Sequence, residues 1–121
     1  MKINLKATGI ELTPAISNYA EKKVSALERL LDNEDVVAQV EIGKITRHHK
    51  SGEVFKAEVH LIGAGLDLYA LSEKEDLYAA IDSVKDDIVR ELNKTKGKRF
   101  ALMRRGGQRI KDMMRGLWSR D

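Results

Sequence analysis

Apolar and polar positions alternate over residues 2–8. Ile3, Leu5 and Ala7 fall on one face and Lys2, Asn4, Lys6 and Thr8 on the other, the period of a strand with one buried side. The period changes at Thr13-Pro14, where a threonine suited to an N-cap precedes the only proline of the chain at a position that needs no N–H. Ile16, Ala20, Val24, Leu27 and Leu31 then recur at steps of three and four. This predicts a helix over residues 14–32, with Lys22, Ser25 and Arg29 on its outer side and Lys23 at the border of the stripe. Asn33-Glu34-Asp35 breaks it. Alternation returns over residues 36–46, with Ala38, Val40 and Ile42 inward, and again over residues 55–61, with Phe55, Ala57, Val59 and Leu61 inward and Lys56, Glu58 and His60 outward. The polar run at 47–52 between them reads as a hairpin loop. Gly63-Ala64-Gly65 turns into a shorter strand at 66–71, and residues 72–75 lead into a second helix over 76–99, whose stripe is Leu77, Ile81, Val84, Ile88 and Leu92.

The order is therefore β-α-β-β-β-α. Strands with one polar face and helices with one apolar stripe are satisfied by an α+β, two-layer sandwich: a four-stranded mixed sheet with both helices on one face. The first two strands are expected parallel through a right-handed crossover and the others antiparallel. At 121 residues the chain supports one core. No apolar run approaches the roughly 18 residues of a membrane span. Met1 leads directly into a strand rather than a leader, and the absence of cysteine excludes thiolate chemistry and suits a cytoplasmic location.

Charge changes the picture more than composition does. The net charge of +3 combines 11 Lys/Arg against 16 Asp/Glu up to Ile88 with 11 against 3 from Val89 onward. Over the last turns of the second helix the exposed side passes from Asp82, Asp86 and Asp87 to Arg90, Lys94, Lys96, Lys98 and Arg99. Clustered cations of this kind neutralise phosphates, so a nucleic acid is the expected partner, with a merely solvated basic tail as the plain alternative.

Catalytic chemistry finds no foothold. His48, His49, Glu53 and His60 match no metal-binding spacing, and neighbouring His48 and His49 on an extended backbone point to opposite faces. No phosphate-cradling or nucleophile motif is present. Asp82, Asp86 and Asp87 on an exposed helix face lack the desolvation that would tune them for acid–base work. Tyr69 and Tyr78 are expected to pack their rings and leave the hydroxyls wet. The expectation is a non-enzyme with no cofactor, no metal and no small-molecule substrate.

The run EDLYAAID at 75–82, followed by Arg90, Glu91, Leu92, Lys94, Lys96 and Lys98, resembles the second helix of the ribosome hibernation-promoting factors, or ribosome-associated inhibitors, in their short, sigma-54 modulation protein-like form. INLKATGIELTPAI at the N-terminal end and HHKSGEVFKAEVHL at 48–61 resemble the same family, so the likeness covers about residues 1–99. It implies the same β-α-β-β-β-α order. It also implies a ribosome-binding domain at 1–99 that occupies the messenger and tRNA channel of the small subunit and silences translation, with that subunit and its rRNA as partners. Basic residues of both helices contact rRNA in the family. The matching positions are Lys22 and Lys23 on the first helix and Arg90, Lys94, Lys96 and Lys98 on the second. Asp87 stands where the family commonly has lysine. The dimerisation domain of the long form has no counterpart here, so ribosome pairing through it is not expected.

Together with the outer cations Arg29, Arg99, Arg104 and Arg105 these residues form the expected RNA-binding set. A general structured-RNA-binding or chaperone module, and a domain whose basic end meets an acidic protein, remain as alternatives. Residues 100–121 read as a basic amphipathic tail: Arg104-Arg105-Gly106-Gly107 reads as a hinge, and Ile110, Met113, Met114, Leu117 and Trp118 make an apolar stripe. Docking of the tail on the ribosome is favoured over folding back on the domain, with a membrane surface third. The free protein is expected to be monomeric and to work away from membranes.

Overall fold

A computed structural model describes residues 1–31, 35–46 and 53–105, with backbone alone for residues 46 and 96–105. The expected hairpin loop with His48 and His49, and the tail stripe from Ile110 to Trp118, lie outside the described residues. The chain forms β1 (Lys2–Thr8), α1 (Pro14–Ser25), a 3-10 stretch (Ala26–Leu30), β2 (Val37–Thr46), β3 (Glu53–Gly63), β4 (Leu66–Lys74) and α2 (Leu77–Arg105). The strands lie side by side in sequence order. β1 and β2 are parallel, and β2–β3 and β3–β4 are antiparallel.

Register carries the alternation across the sheet. Leu5, Val40, Val59 and Ala70 stand in one row, and Ile3, Ala38, Leu61 and Leu68 in the next. This face packs against Val24 and Leu27 from the first helical segment and Leu77, Ile81, Val84, Ile88 and Leu92 from α2, all buried. The opposite face carries Asn4, Gln39, His60 and Tyr69 in one row and Lys6, Glu41, Glu58 and Leu71 in another. The α+β sandwich expected from the pattern is the observed fold.

Local chemistry sets the element ends. Thr13, extended at φ −75°, accepts a hydrogen bond from the Ile16 amide at 3.3 Å, and Pro14 follows at N1. Asp76 does the same for α2, accepting from the Ala79 amide at 3.0 Å. Two glycines are required by close approach. A Cβ on Gly43 would lie 2.4 Å from the Thr8 carbonyl oxygen, and one on Gly63, at φ +123°, would lie 2.2 Å from that of Asp35.

Three boundaries depart from the pattern by more than two residues. The first helix does not run to Asp32 as an α-helix. It ends at Ser25 and tightens into a 3-10 turn through Leu30, where a repeat near three brings Leu27 and Leu30 onto the core side before Leu31 becomes extended. β4 continues to Lys74 rather than stopping at Leu71, because the inward position after Ala70 is Ser72. Ser72 is buried, yet its hydroxyl meets Ser83 Oγ and Asp87 Oδ2 at 3.0 Å each, so a polar side chain there is satisfied. α2 runs on to Arg105 without a break at Phe100. Its apolar stripe ends at Leu92, but Lys, Leu, Met and Arg beyond it are good helix formers that need no packing partner to keep the helical phase.

Candidate nucleic-acid interface

Topology brings the basic ends of the two helices to the same end of the sheet. α1 returns between parallel strands, and α2 returns against β4, which runs with β2. The helices thus run the same way, side by side. Tyr19 touches both Tyr78, ring centroids 4.8 Å apart and edge-on, and Asp82, whose Oδ1 accepts the phenol proton at 2.6 Å. Cations at their C-terminal ends complement both helix dipoles.

The expected RNA-binding residues fall into three settings. Lys22 and Arg29 are exposed on the outer side. Lys23 is held, its ammonium 3.3 Å from Asp82 Oδ1 and 5.5 Å from the Tyr19 ring centroid. Arg90 and Lys94 are exposed on α2 but paired one turn back, Arg90 with Asp87 and Lys94 with Glu91 at 3.5 Å. Lys96, Lys98, Arg99, Arg104 and Arg105 lie on the part of α2 beyond Leu92, the last buried residue among those whose side chains are described. At 1.5 Å per residue this extension is about 20 Å long. Between Val89 and Arg105 the chain carries seven Lys/Arg and one carboxylate, Glu91. Helical spacing lines up positions 90, 94, 98 and 105, whereas positions 96 and 99 lie on the side that the core stripe occupied one or two turns earlier. The extension is therefore cationic around much of its circumference.

Such exposed pairs are weak, about 0–1 kcal/mol each, so a phosphate can exchange for Glu91 or Asp87 at little cost. Asp87 is not simply a missing lysine. It joins Ser72 of β4 to Arg90 of α2, so its charge serves the packing of the helix as well as the orientation of a guanidinium.

Sequence reading placed all three aspartates on an exposed face. Only Asp86 is exposed, whereas Asp82 and Asp87 are half-buried and bonded. It also passed over Tyr19, whose partner Asp82 is 63 positions away in sequence. The Asp82 hydrogen bond, with burial in second place, pushes the Tyr19 hydroxyl up from 10.0 to about 12. Its contribution to stability is complete below pH 10 and is lost between pH 10 and about 12, where the unfolded chain gives up the proton first. Alkaline titration followed by phenolate absorbance is expected to show a last-ionising tyrosine that Tyr19→Phe removes.

No group of three or more His, Asp or Glu side chains converges as a metal site among the described residues, and no described helix is long and apolar enough to cross a membrane.

Residues 3–99 match the family described as Sigma 54 modulation protein / S30EA ribosomal protein. The chain belongs to this family. A ribosome hibernation promoting factor from Azotobacter vinelandii is 35% identical over 112 residues, covering 93% of this chain and 96% of that protein. Since the family match ends at residue 99, this likeness extends into the tail. The ribosome hibernation promoting factor of Escherichia coli K12 is 31% identical over 99 residues, 81% of this chain and 96% of the relative. Among solved structures, the N-terminal domain of Thermus thermophilus Protein Y superposes with a TM-score of 0.68 at 30% identity, covering 78% of this chain and 99% of that domain. The basic extension of α2 thus begins within the matched region and runs past it.

Proposed function

We propose that this chain is a non-enzymatic ribosome hibernation factor that binds the small ribosomal subunit in the cytoplasm, as a monomer when free, and silences translation by filling the messenger and tRNA channel. The observation that carries the reading is the basic extension of α2, carried on a domain of the hibernation family. A helix anchored by six buried residues from Leu77 to Leu92 and continuing about 20 Å past Leu92 as a cationic rod can enter an RNA-walled channel without giving up its own fold. Lys94 and Lys98 would take phosphates along one side and Lys96 and Arg99 along another, with Arg90 orienting the base of the rod and Arg104 and Arg105 its tip. Lys22, Lys23 and Arg29 would contact the neighbouring wall. Recognition of this kind reads shape and phosphate position rather than base edges.

Sedimentation with small subunits, whole ribosomes and free structured RNA at stepped salt tests it. Co-sedimentation with the assembled small subunit at salt that strips the protein from free RNA is the expected result. Equal retention on all RNAs would instead mark a general RNA-binding module.

A further inference from the structure

The face of the sheet turned away from the helices has its own character. Of the five large apolar residues exposed among the described ones, Ile62, Tyr69 and Leu71 lie there, on adjacent β3 and β4, while Leu12 and Tyr78 lie elsewhere. Tyr69 is 55% exposed and borders an open depression of about 300 Å³ that Gln39, Glu58 and His60 also line. The outward positions of β3 and β4 carry Glu58, Asp67 and Glu73 against one lysine, Lys56. Lys56 is engaged by Glu58 at 3.0 Å and by Glu41 at 3.7 Å, and His60 Nε2 lies 2.5 Å from Asp67. This half of the face is thus apolar and acidic. Lys2 and Lys6 stand at the far edge, on β1.

The chain itself contains a segment of matching chemistry. Residues 106–121 carry Ile110, Met113, Met114, Leu117 and Trp118 in one stripe, with Arg109, Lys111, Arg115 and Arg120 against two aspartates. The helix that leads to this segment returns along β4 toward its first residues, the end of the sheet where Ile62 pairs with Asp67. From Arg105 the way back is about 20 Å along the helix and about 10 Å through the layer. Twelve residues separate Arg105 from Leu117, and at up to about 3.3–3.6 Å each they are enough chain to bring Leu117 and Trp118 to Ile62, Tyr69 and Leu71. Like charge keeps the segment off the basic extension of α2 itself.

We infer that residues 106–121 dock on the open face of the chain's own sheet, with Leu117 and Trp118 against Ile62, Tyr69 and Leu71 and the tail's cations toward Glu58, Asp67 and Glu73. This inference stands whether or not the α2 extension binds RNA.

Trp118 is the only tryptophan of the chain, so its fluorescence reports on the segment alone. In the free full-length protein, acrylamide quenching of Trp118 is expected to be several-fold weaker than in denaturant and independent of protein concentration. Ile62→Asp and Leu71→Asp are expected to restore strong quenching with the thermal unfolding midpoint little changed, since both side chains are exposed. Leu12→Asp, exposed but outside this face, is expected to leave quenching weak. Four results would overturn the inference: strong quenching in the free protein, protection gained only on adding small subunits, protection lost on dilution, which would assign the face to a second copy, or protection that survives both β3 and β4 substitutions.

Discussion

Replacing Lys94, Lys96 and Lys98 together by glutamine is expected to lower affinity for the small subunit by about two orders of magnitude near 0.1 M salt while leaving the fold intact. Each lost phosphate contact removes about 0.7–0.9 from the slope of log affinity against log salt, so three lost contacts flatten it by about two to three units. The fold should not notice. All three follow Leu92, the last described buried residue of α2, and Lys94 is exposed and paired with Glu91. Glutamine is close to lysine in helix propensity, and exposed substitutions usually change stability by less than about 0.5 kcal/mol. Salt titrations of binding, set beside thermal unfolding of the same variant, measure both halves. Unchanged affinity and slope would remove this cluster from the interface.

The reverse separation is expected at Ile88→Ala. Ile88 is wholly buried at the middle of the α2 stripe, where the helix packs on β3 and β4. Truncation leaves a cavity in a close-packed layer and costs about 2–5 kcal/mol, a large part of the about 5–15 kcal/mol that holds a typical domain together. The unfolding midpoint should fall by on the order of 10–20 °C. Ribosome affinity measured well below the new midpoint should stay near the parent value, because none of the cations proposed to bind phosphate is touched. Denaturant unfolding paired with low-temperature binding decides it. A small stability change would mean that the helix is anchored elsewhere.

The two expectations rest on parts of the molecule that the sequence displays unequally. Hydrophobic period placed the inward residues it named from Ile3 to Leu92, passing over the buried Val36, Ala70 and Ala80, and the helical crossover and short turns gave the parallel and antiparallel senses of the strands. Where it missed the end of a strand, a polar residue occupied an inward position. Ser72 hid the end of β4 because its partners, Ser83 and Asp87, come from a helix more than ten residues on. The extension of α2 past Phe100 was hidden because periodicity detects helices by their buried stripe, and this one has shed its stripe. Candidate contact residues were legible as charge, since a run of seven cations in seventeen residues needs no structure to be seen. Their pairing was not. Nothing in the spacing of Lys23 and Asp82, or in the presence of Tyr19, indicates that they meet across the groove between α1 and α2.

Occupancy of the messenger and tRNA channel is open to one direct measurement. Labelled protein is bound to small subunits, and initiator tRNA with messenger is added in increasing amounts while the bound fraction is followed. Stoichiometric displacement, with the Lys94, Lys96 and Lys98 triple glutamine variant displaced at lower concentrations than the parent, is the expected outcome. Stable co-occupancy of one subunit by the protein, messenger and tRNA would contradict it.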